Sequence, residues 1–408
     1  MILIEDIKIG QKNVKLYNSL VNTSNFEWIN PISDLHFMKL NFLYHNSSIS
    51  LLDGYVKEQV LKKQNTIDTL TSNLLHTISY YLSGKLPLAY ETMKVAFDSV
   101  KDILTRKSEI RFSTGFEFGF RARVPNQGES PLTSKKDMFH VPLTKRHQVS
   151  DQRYSIRGLP SIYLGRSIYT CYLELGKPAL DDFFVSFFCF SQNKENVLKS
   201  PHIRLIDLTA TNTNHGGSLL SHFFKKDEIG YIAALDRLVD DIILWPLIMS
   251  CSIIGKYPGT SPHFRAEYIV PQMLYQLCSE NDEFTGVVYD STKLTESNKD
   301  HLKNAMFNYA LPIQDAMSPV YCPILAGQLS LTAPITAEMC NDLQINARYG
   351  HTSNWLPIIS TRCDSLKNDT TILALDKMTM YFEELLLNFM RKKDLNGISP
   401  LYGWEKDS

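Results

Sequence analysis

Apolar residues recur at three- and four-residue steps from Tyr55 to Leu82, through Val60, Ile67, Leu70, Leu74, Ile78 and Tyr81, the period of one helix face. Gly84 and Pro87 break the pattern. It resumes from Leu88 to Thr105, with Met93, Phe97, Val100 and Leu104 on one face and Lys94, Asp98 and Lys101 elsewhere, so the spacing predicts a helical hairpin. From Glu109 the texture turns to short aromatic and β-branched runs divided by Gly, Pro and Asn, at 116–124, 160–165, 183–190, 203–208, 285–291 and 304–310, each read as a strand. Helical stretches interrupt them at Glu228 to Ile243 and Ser261 to Glu280, where Pro271 marks a start or a kink. Residues 331–370 are ambiguous, and helical periodicity returns from Ile372 to Lys393. The mixture predicts an α+β fold in three regions: helical residues 1–110, a β-rich domain at 111–330 and a helical extension at 331–408.

Composition narrows the functional classes. Lysine plus arginine (42) nearly cancels aspartate plus glutamate (43), which argues against a partner held by counterion release, so nucleic acid is not expected. The seven cysteines are scattered without CxxC or Cys/His ligand spacing, which fits reduced thiols in a cytoplasmic protein, and the histidines offer no zinc-binding spacing, so no metal is expected. Acidic residues stand at the N-terminus where a signal peptide would be basic. The most apolar later stretch, 242–254, holds Pro246 and two serines and falls short of the roughly 20 residues a membrane span needs, so it reads as core.

The chemistry concentrates between Phe120 and Gly176. Arg121 and Arg123, two apart at the end of a strand, share one face, where guanidinium groups either end in solvent or seat a pyrophosphate. The turn DQRYSIRGLP places Arg153, Tyr154 and Arg157 before the next strand, and Tyr154 either stacks on a ligand ring or packs against the sheet. Ser167 is a good N-cap for a short helix whose stripe is Ile168, Cys171, Tyr172 and Leu175. Glu174 falls roughly 110° from the centre of that stripe, at its edge. There it is either a solvated glutamate or a carboxylate able to stabilise oxocarbenium character during ribosyl-bond cleavage.

The pieces FRAR, MFHVPLTKRHQVSDQRYS, GLPSIYLGRS and CYLELG, followed by AEYIVPQMLYQLC, FTGVVYDST and NAMFNYALP, resemble in order and spacing the RES domain, a family named for its arginine, glutamate and serine. The resemblance covers roughly residues 111–315. It implies an ADP-ribosyltransferase-like mixed β core and NAD as substrate, with inorganic phosphate, water or a protein side chain as the attacking group. By the resemblance Arg121 takes the first arginine's role, Arg153 and Tyr154 the turn arginine and its aromatic, Glu174 the catalytic acid and Ser291 the late serine, with Arg123 and Gln272 as further contacts. Several family members are toxins neutralised by a partner, so an antitoxin-like or regulatory protein is an implied partner. The stretch between Gly176 and Glu280 is longer than in compact members, which places an insertion at about 177–260.

The expectation is therefore an NAD phosphorylase or glycohydrolase, acting as a toxin or defence effector. Two alternatives stand beside it: an ADP-ribosyltransferase acting on a protein or nucleic acid, and a catalytically silent NAD-binding or protein-interaction module. Ser291 lies in no G-x-S-x-G elbow, and no cysteine sits in a nucleophile motif.

Overall fold

The structure is a computed structural model that describes residues 55, 58–112, 117–126, 128–190, 203–209, 228–253, 264–280, 283–293, 306–314, 320–336 and 399–400. In chain order the elements are α1 (Gln64–Leu82), α2 (Leu86–Asp98), α3 (Lys101–Phe112), β1 (Phe118–Arg123), β2 (Ser161–Gly165), α4 (Ile168–Glu174), β3 (Phe184–Phe190), β4 (Leu205–Asp207), α5 (Glu228–Ile243), α6 (Trp245–Ser252), α7 (Ile269–Glu280), β5 (Gly286–Asp290), β6 (Phe307–Pro312), α8 (Pro323–Gln328), β7 (Leu329–Leu331) and β8 (Ser399–Pro400). The fold is α+β, and each of the strand runs read from the sequence is a strand. Residues 1–54 and the helix expected over 372–393 lie outside the described residues.

The chain forms two compact units that interleave along the sequence: one takes the residues up to Arg111 with 151–156 and 204–292, the other 112–150, 157–203 and the residues from Lys293 onward.

In the first unit α1 and α2 form the expected hairpin. α1 ends in a paired turn in which the Gly84 N–H donates to Tyr81 O and the Lys85 N–H to Tyr80 O, with Gly84 at φ 73°, a left-handed conformation that glycine adopts without steric cost. Pro87 then sits in the first turn of α2, where its missing N–H costs nothing. Ala89, Met93, Ala96 and Phe97 are buried on α2, and the Thr77 and Thr92 hydroxyls meet at 3.0 Å. The single helix expected over 88–105 is two helices. At the junction the Ser99 hydroxyl donates to the Ala96 carbonyl at 2.7 Å, a local bond that competes with continuing the helix. α3 is pinned to α5 by two buried acids: the Arg106 guanidinium grips Asp240, and Lys107 Nζ lies 2.6 Å from Asp241. β4 and β5 pair in parallel, as strands joined by the intervening helices α5 to α7 can. Pro271 falls in the first turn of α7, the start that the sequence suggests.

In the second unit the strands run in the order β6-β2-β1-β3-β7-β8, all neighbours antiparallel. The β1–β3 register is unbroken from Phe118↔Cys189 to Arg123↔Phe184, so strict alternation holds along β1. Phe118, Phe120, Val185 and Phe187 face α4 and form a core with Ile168, Tyr169, Cys171 and Tyr172. The helical turn Lys135–Met138 lies against β1 and β3.

Candidate active site

α4 is short, and its placement depends on two residues. The Ser167 Oγ accepts from the Thr170 N–H at 3.0 Å, capping the helix as its sequence predicts. Gly165 then lets the helix lie against the end of β2, since a Cβ there would stand 2.7 Å from Cys171 Sγ. Ile168, Cys171 and Tyr172 are buried as the stripe requires, but Leu175 is 43% exposed, because the helix ends at Glu174 and Leu175 already lies past its last turn. Arg166 supports the junction: its backbone N–H donates to Phe307 O, its Nη1 donates to Phe118 O at 2.9 Å, and its guanidinium lies 3.9 Å from the centre of the Phe118 ring.

This geometry puts the exposed Glu174 at the C-terminal end of a helix packed on the sheet, where its Oε1 accepts from Asn308 Nδ2 at 2.8 Å. Asn308 is 5% exposed and sits on β6 opposite Gly165, which in turn pairs with Phe120. Asn308, Gly165 and Phe120 therefore form a line across three strands on the α4 face. Tyr163, two residues before Gly165 and partly exposed, belongs to the same face. A carboxylate, a buried amide that orients it and an aromatic side chain thus share one side of the sheet. The sequence gives Asn308 and Tyr163 no role by themselves; the signal was their position in strands whose pairing places them beside α4.

Arg121 and Arg123 share one face, as alternation predicts, and it is the opposite one. The Nε and Nη1 of Arg121 are buried and without a hydrogen-bond partner among the described residues, although the residue as a whole keeps partial exposure. Burial, reinforced by the neighbouring Arg123 cation, pulls its pKa down to about 10. Arg123 is satisfied internally: Nη1 donates to Asp137 O at 2.5 Å and Nη2 approaches Glu129 at 3.3 Å. Beside them His140 is fully buried, with Nδ1 2.8 Å from Val141 O and Nε2 accepting from the Cys322 N–H at 2.8 Å. Desolvation pushes its pKa down to about 4, so it is neutral and structural. Lys145 and Arg146 are exposed on a short helical turn.

The other sequence-predicted residues belong to the first unit. Arg153 Nη1 donates to Cys251 O at 3.0 Å and its guanidinium lies 5.2 Å from the Tyr268 ring centre. Tyr154 is 0% exposed, its ring 4.4 Å from that of Tyr289, and burial raises its phenol well above the ordinary range. The packing alternative for Tyr154 is the one the structure displays. Gln272 Nε2 donates to Gln152 O and Ser155 O, both at 3.1 Å, closing the turn that holds Arg153 and Tyr154. Ser291 is fully buried just after β5.

Burial also pushes the Cys189 and Cys251 thiols up to about 12, and raises Cys278, so these side chains stay protonated and unreactive. Among the described residues no group of His, Cys, Asp and Glu could hold a metal ion, and no helix is long and apolar enough to cross a membrane.

The fold and these side chains define an α+β protein with an oriented carboxylate on one sheet face and, on the other, an arginine whose Nε and Nη1 are buried without a partner among the described residues. Comparison with known proteins adds a relative: the chain is 29% identical over 285 residues, 68% of its length, to "Putative toxin YopC" of Bacillus subtilis (strain 168). It spans 60% of that protein's length. No family model and no solved structure matches the chain.

Proposed function

We propose that the chain is a toxin that cleaves the nicotinamide–ribose bond of NAD, with Glu174 as the central carboxylate. The observation that carries this reading is the Asn308–Glu174 hydrogen bond, which fixes an exposed carboxylate at the end of a buried-faced helix. A fixed negative charge suits a reaction whose transition state gathers positive charge on the ribose ring. The similarity to a protein named a toxin supports the toxic role, and the resemblance to the RES family supports NAD as substrate.

In this mechanism Glu174 orients the nicotinamide ribose through its hydroxyls and stabilises the oxocarbenium character at the anomeric carbon. The C–N bond breaks, its electron pair neutralises the pyridinium, and nicotinamide leaves uncharged. An oxygen of inorganic phosphate or water forms the new C–O bond and releases its proton to solvent. Asn308 keeps the carboxylate in one orientation, so part of the rate comes from positioning. Tyr163 offers the aromatic side chain on that face; the pyrophosphate role that the resemblance gives Arg121 is not part of this mechanism, because Arg121 lies on the opposite face of the sheet. The resemblance also assigns dinucleotide contacts to Arg153, Gln272 and Ser291, and Tyr154 packs in the turn that carries Arg153. No metal is required. An antitoxin-like protein as inhibitor belongs to the same proposal.

Induced expression in a bacterium tests it in the cell. The wild-type chain is expected to drain cellular NAD and stop growth, while Glu174→Gln at equal soluble level leaves both unchanged. Growth arrest with NAD intact would instead assign the toxicity to another target, and a stable ADP-ribose adduct on a cellular macromolecule would favour transfer over phosphorolysis or hydrolysis.

A further inference from the structure

Among the described residues Lys177 is the one residue other than glycine whose backbone is left-handed, at φ 61°. α4 closes in a paired turn, with the Gly176 N–H donating to Leu173 O at 3.1 Å and the Lys177 N–H to Tyr172 O at 2.9 Å. Gly176, at φ 77°, supplies the left-handed residue that such a turn requires. A second one follows at once, and it carries a side chain whose Cβ crowds the backbone in that conformation. Pro178 comes next, and a residue ahead of proline is steered towards extended backbone, so Lys177 is disfavoured on two counts. Glycine would fill the position with less strain, and strain of this kind gathers where a side chain serves function.

The neighbours indicate which function. Lys177 is exposed three residues after Glu174, and the paired turn keeps its backbone against the last turn of α4. Arg166, a second cation at this junction, is committed to Phe118 O and Glu117. A cation so close to Glu174 works against a reaction in which water attacks, because it offsets the negative charge that steadies the oxocarbenium centre. It is required when the attacking group is itself an anion, since a phosphate that approaches a carboxylate is repelled unless positive charge accompanies it.

We propose that Lys177 holds inorganic phosphate beside Glu174 and so makes phosphate, rather than water, the group that attacks the ribose. This assignment rests on the NAD reading and names its second substrate. One phosphate oxygen forms the bond to the anomeric carbon as the C–N bond breaks, nicotinamide leaves with that electron pair, and the phosphate ester gives up its remaining proton to solvent. Lys177 contributes charge and hydrogen bonds to the anion and exchanges no proton.

Phosphorus NMR titration of the full chain with inorganic phosphate, without NAD, tests the contact apart from turnover. Lys177→Gly is expected to weaken phosphate binding by about tenfold, the scale of one hydrogen bond to a charged group, and Lys177→Arg to restore most of it. With NAD present the glycine variant should show the same rise in KM for phosphate, an unmoved KM for NAD, and products shifted from phosphorylated ADP-ribose towards ADP-ribose. Because the substitution removes a left-handed lysine, the melting temperature of the free chain should hold or rise, which separates lost binding from lost fold. Equal phosphate affinity in the wild type and Lys177→Gly, or no phosphate binding by the wild type, overturns the proposal. Phosphate binding that depends on Lys177 in a chain that releases no nicotinamide would leave the anion contact standing and remove the NAD reading instead.

Discussion

At the scale of single residues the account turns on how each side chain is satisfied. Glu174 is exposed yet held, Arg121 is sealed at two nitrogens that meet no partner among the described residues, and His140 is buried and neutral. In the proposed reaction Asn308 is a positioning residue, and its replacement by aspartate tests that role through pH. Two carboxylates within hydrogen-bond distance resist sharing two negative charges, so Asn308→Asp should move the acid limb of the rate–pH profile to higher pH as well as lower kcat. A fall in kcat with an unmoved profile would mean that Asn308 serves only the fold. His140 carries a separate prediction. Its folded pKa, about 4, lies below the ordinary 6.5, so between those values the unfolded chain binds more protons than the folded one. Its contribution is complete above about pH 6.5 and is lost as pH falls towards 4, to a total of roughly 3 kcal/mol. Urea unfolding from pH 7 to pH 4 should show that loss, reduced in His140→Gln; an equal loss in the variant would place the acid sensitivity elsewhere. Glu174 was legible from the edge of a helical stripe. Asn308 and Tyr163 were not, because what matters about them is which residue of a strand distant in sequence they stand opposite, and alternation within one strand names no partner strand.

At the scale of elements, periodicity was informative wherever one face of an element is buried. The strand runs and the helix at Glu228–Ile243 reappear because alternation and the three-to-four spacing reflect the burial that creates them. It was less informative at junctions. The split between α2 and α3 turns on a serine hydroxyl bonding its own helix, and the exposure of Leu175 on where α4 stops, both decided by local bonds that apolar spacing does not register. The junction of α3 with α5 gives an element-scale prediction. Lys107 compensates Asp241, whose carboxyl is pushed up chiefly by burial, so Lys107→Met leaves an unpaired buried acid. Breaking one partner of such a pair costs roughly 3 to 5 kcal/mol, and chemical denaturation should show it. A loss below about 1 kcal/mol would show that the pair is solvated and adds little to the junction, leaving it to Arg106–Asp240 and apolar contact.

For the whole molecule, interleaving is the feature that no linear reading displays. Residues 151–156 and 204–292 return to the unit built on the N-terminal helices, so the resemblance, continuous along the sequence, is distributed over two compact units. The sequence carries the α+β class, and a relative 29% identical to the chain is named "Putative toxin YopC". In the proposed function, what joins these to chemistry is one carboxylate. The most direct measurement mixes the purified chain with NAD, with and without inorganic phosphate, and follows nicotinamide and the ribose product by chromatography and mass spectrometry, with Glu174→Gln alongside. The account predicts nicotinamide release by the wild type and a fall of at least about a hundredfold in a folded Glu174→Gln chain, with phosphate dependence separating phosphorolysis from hydrolysis. Near-normal release by that variant would contradict the role of Glu174, and no release by the wild type would contradict the NAD-cleaving function itself.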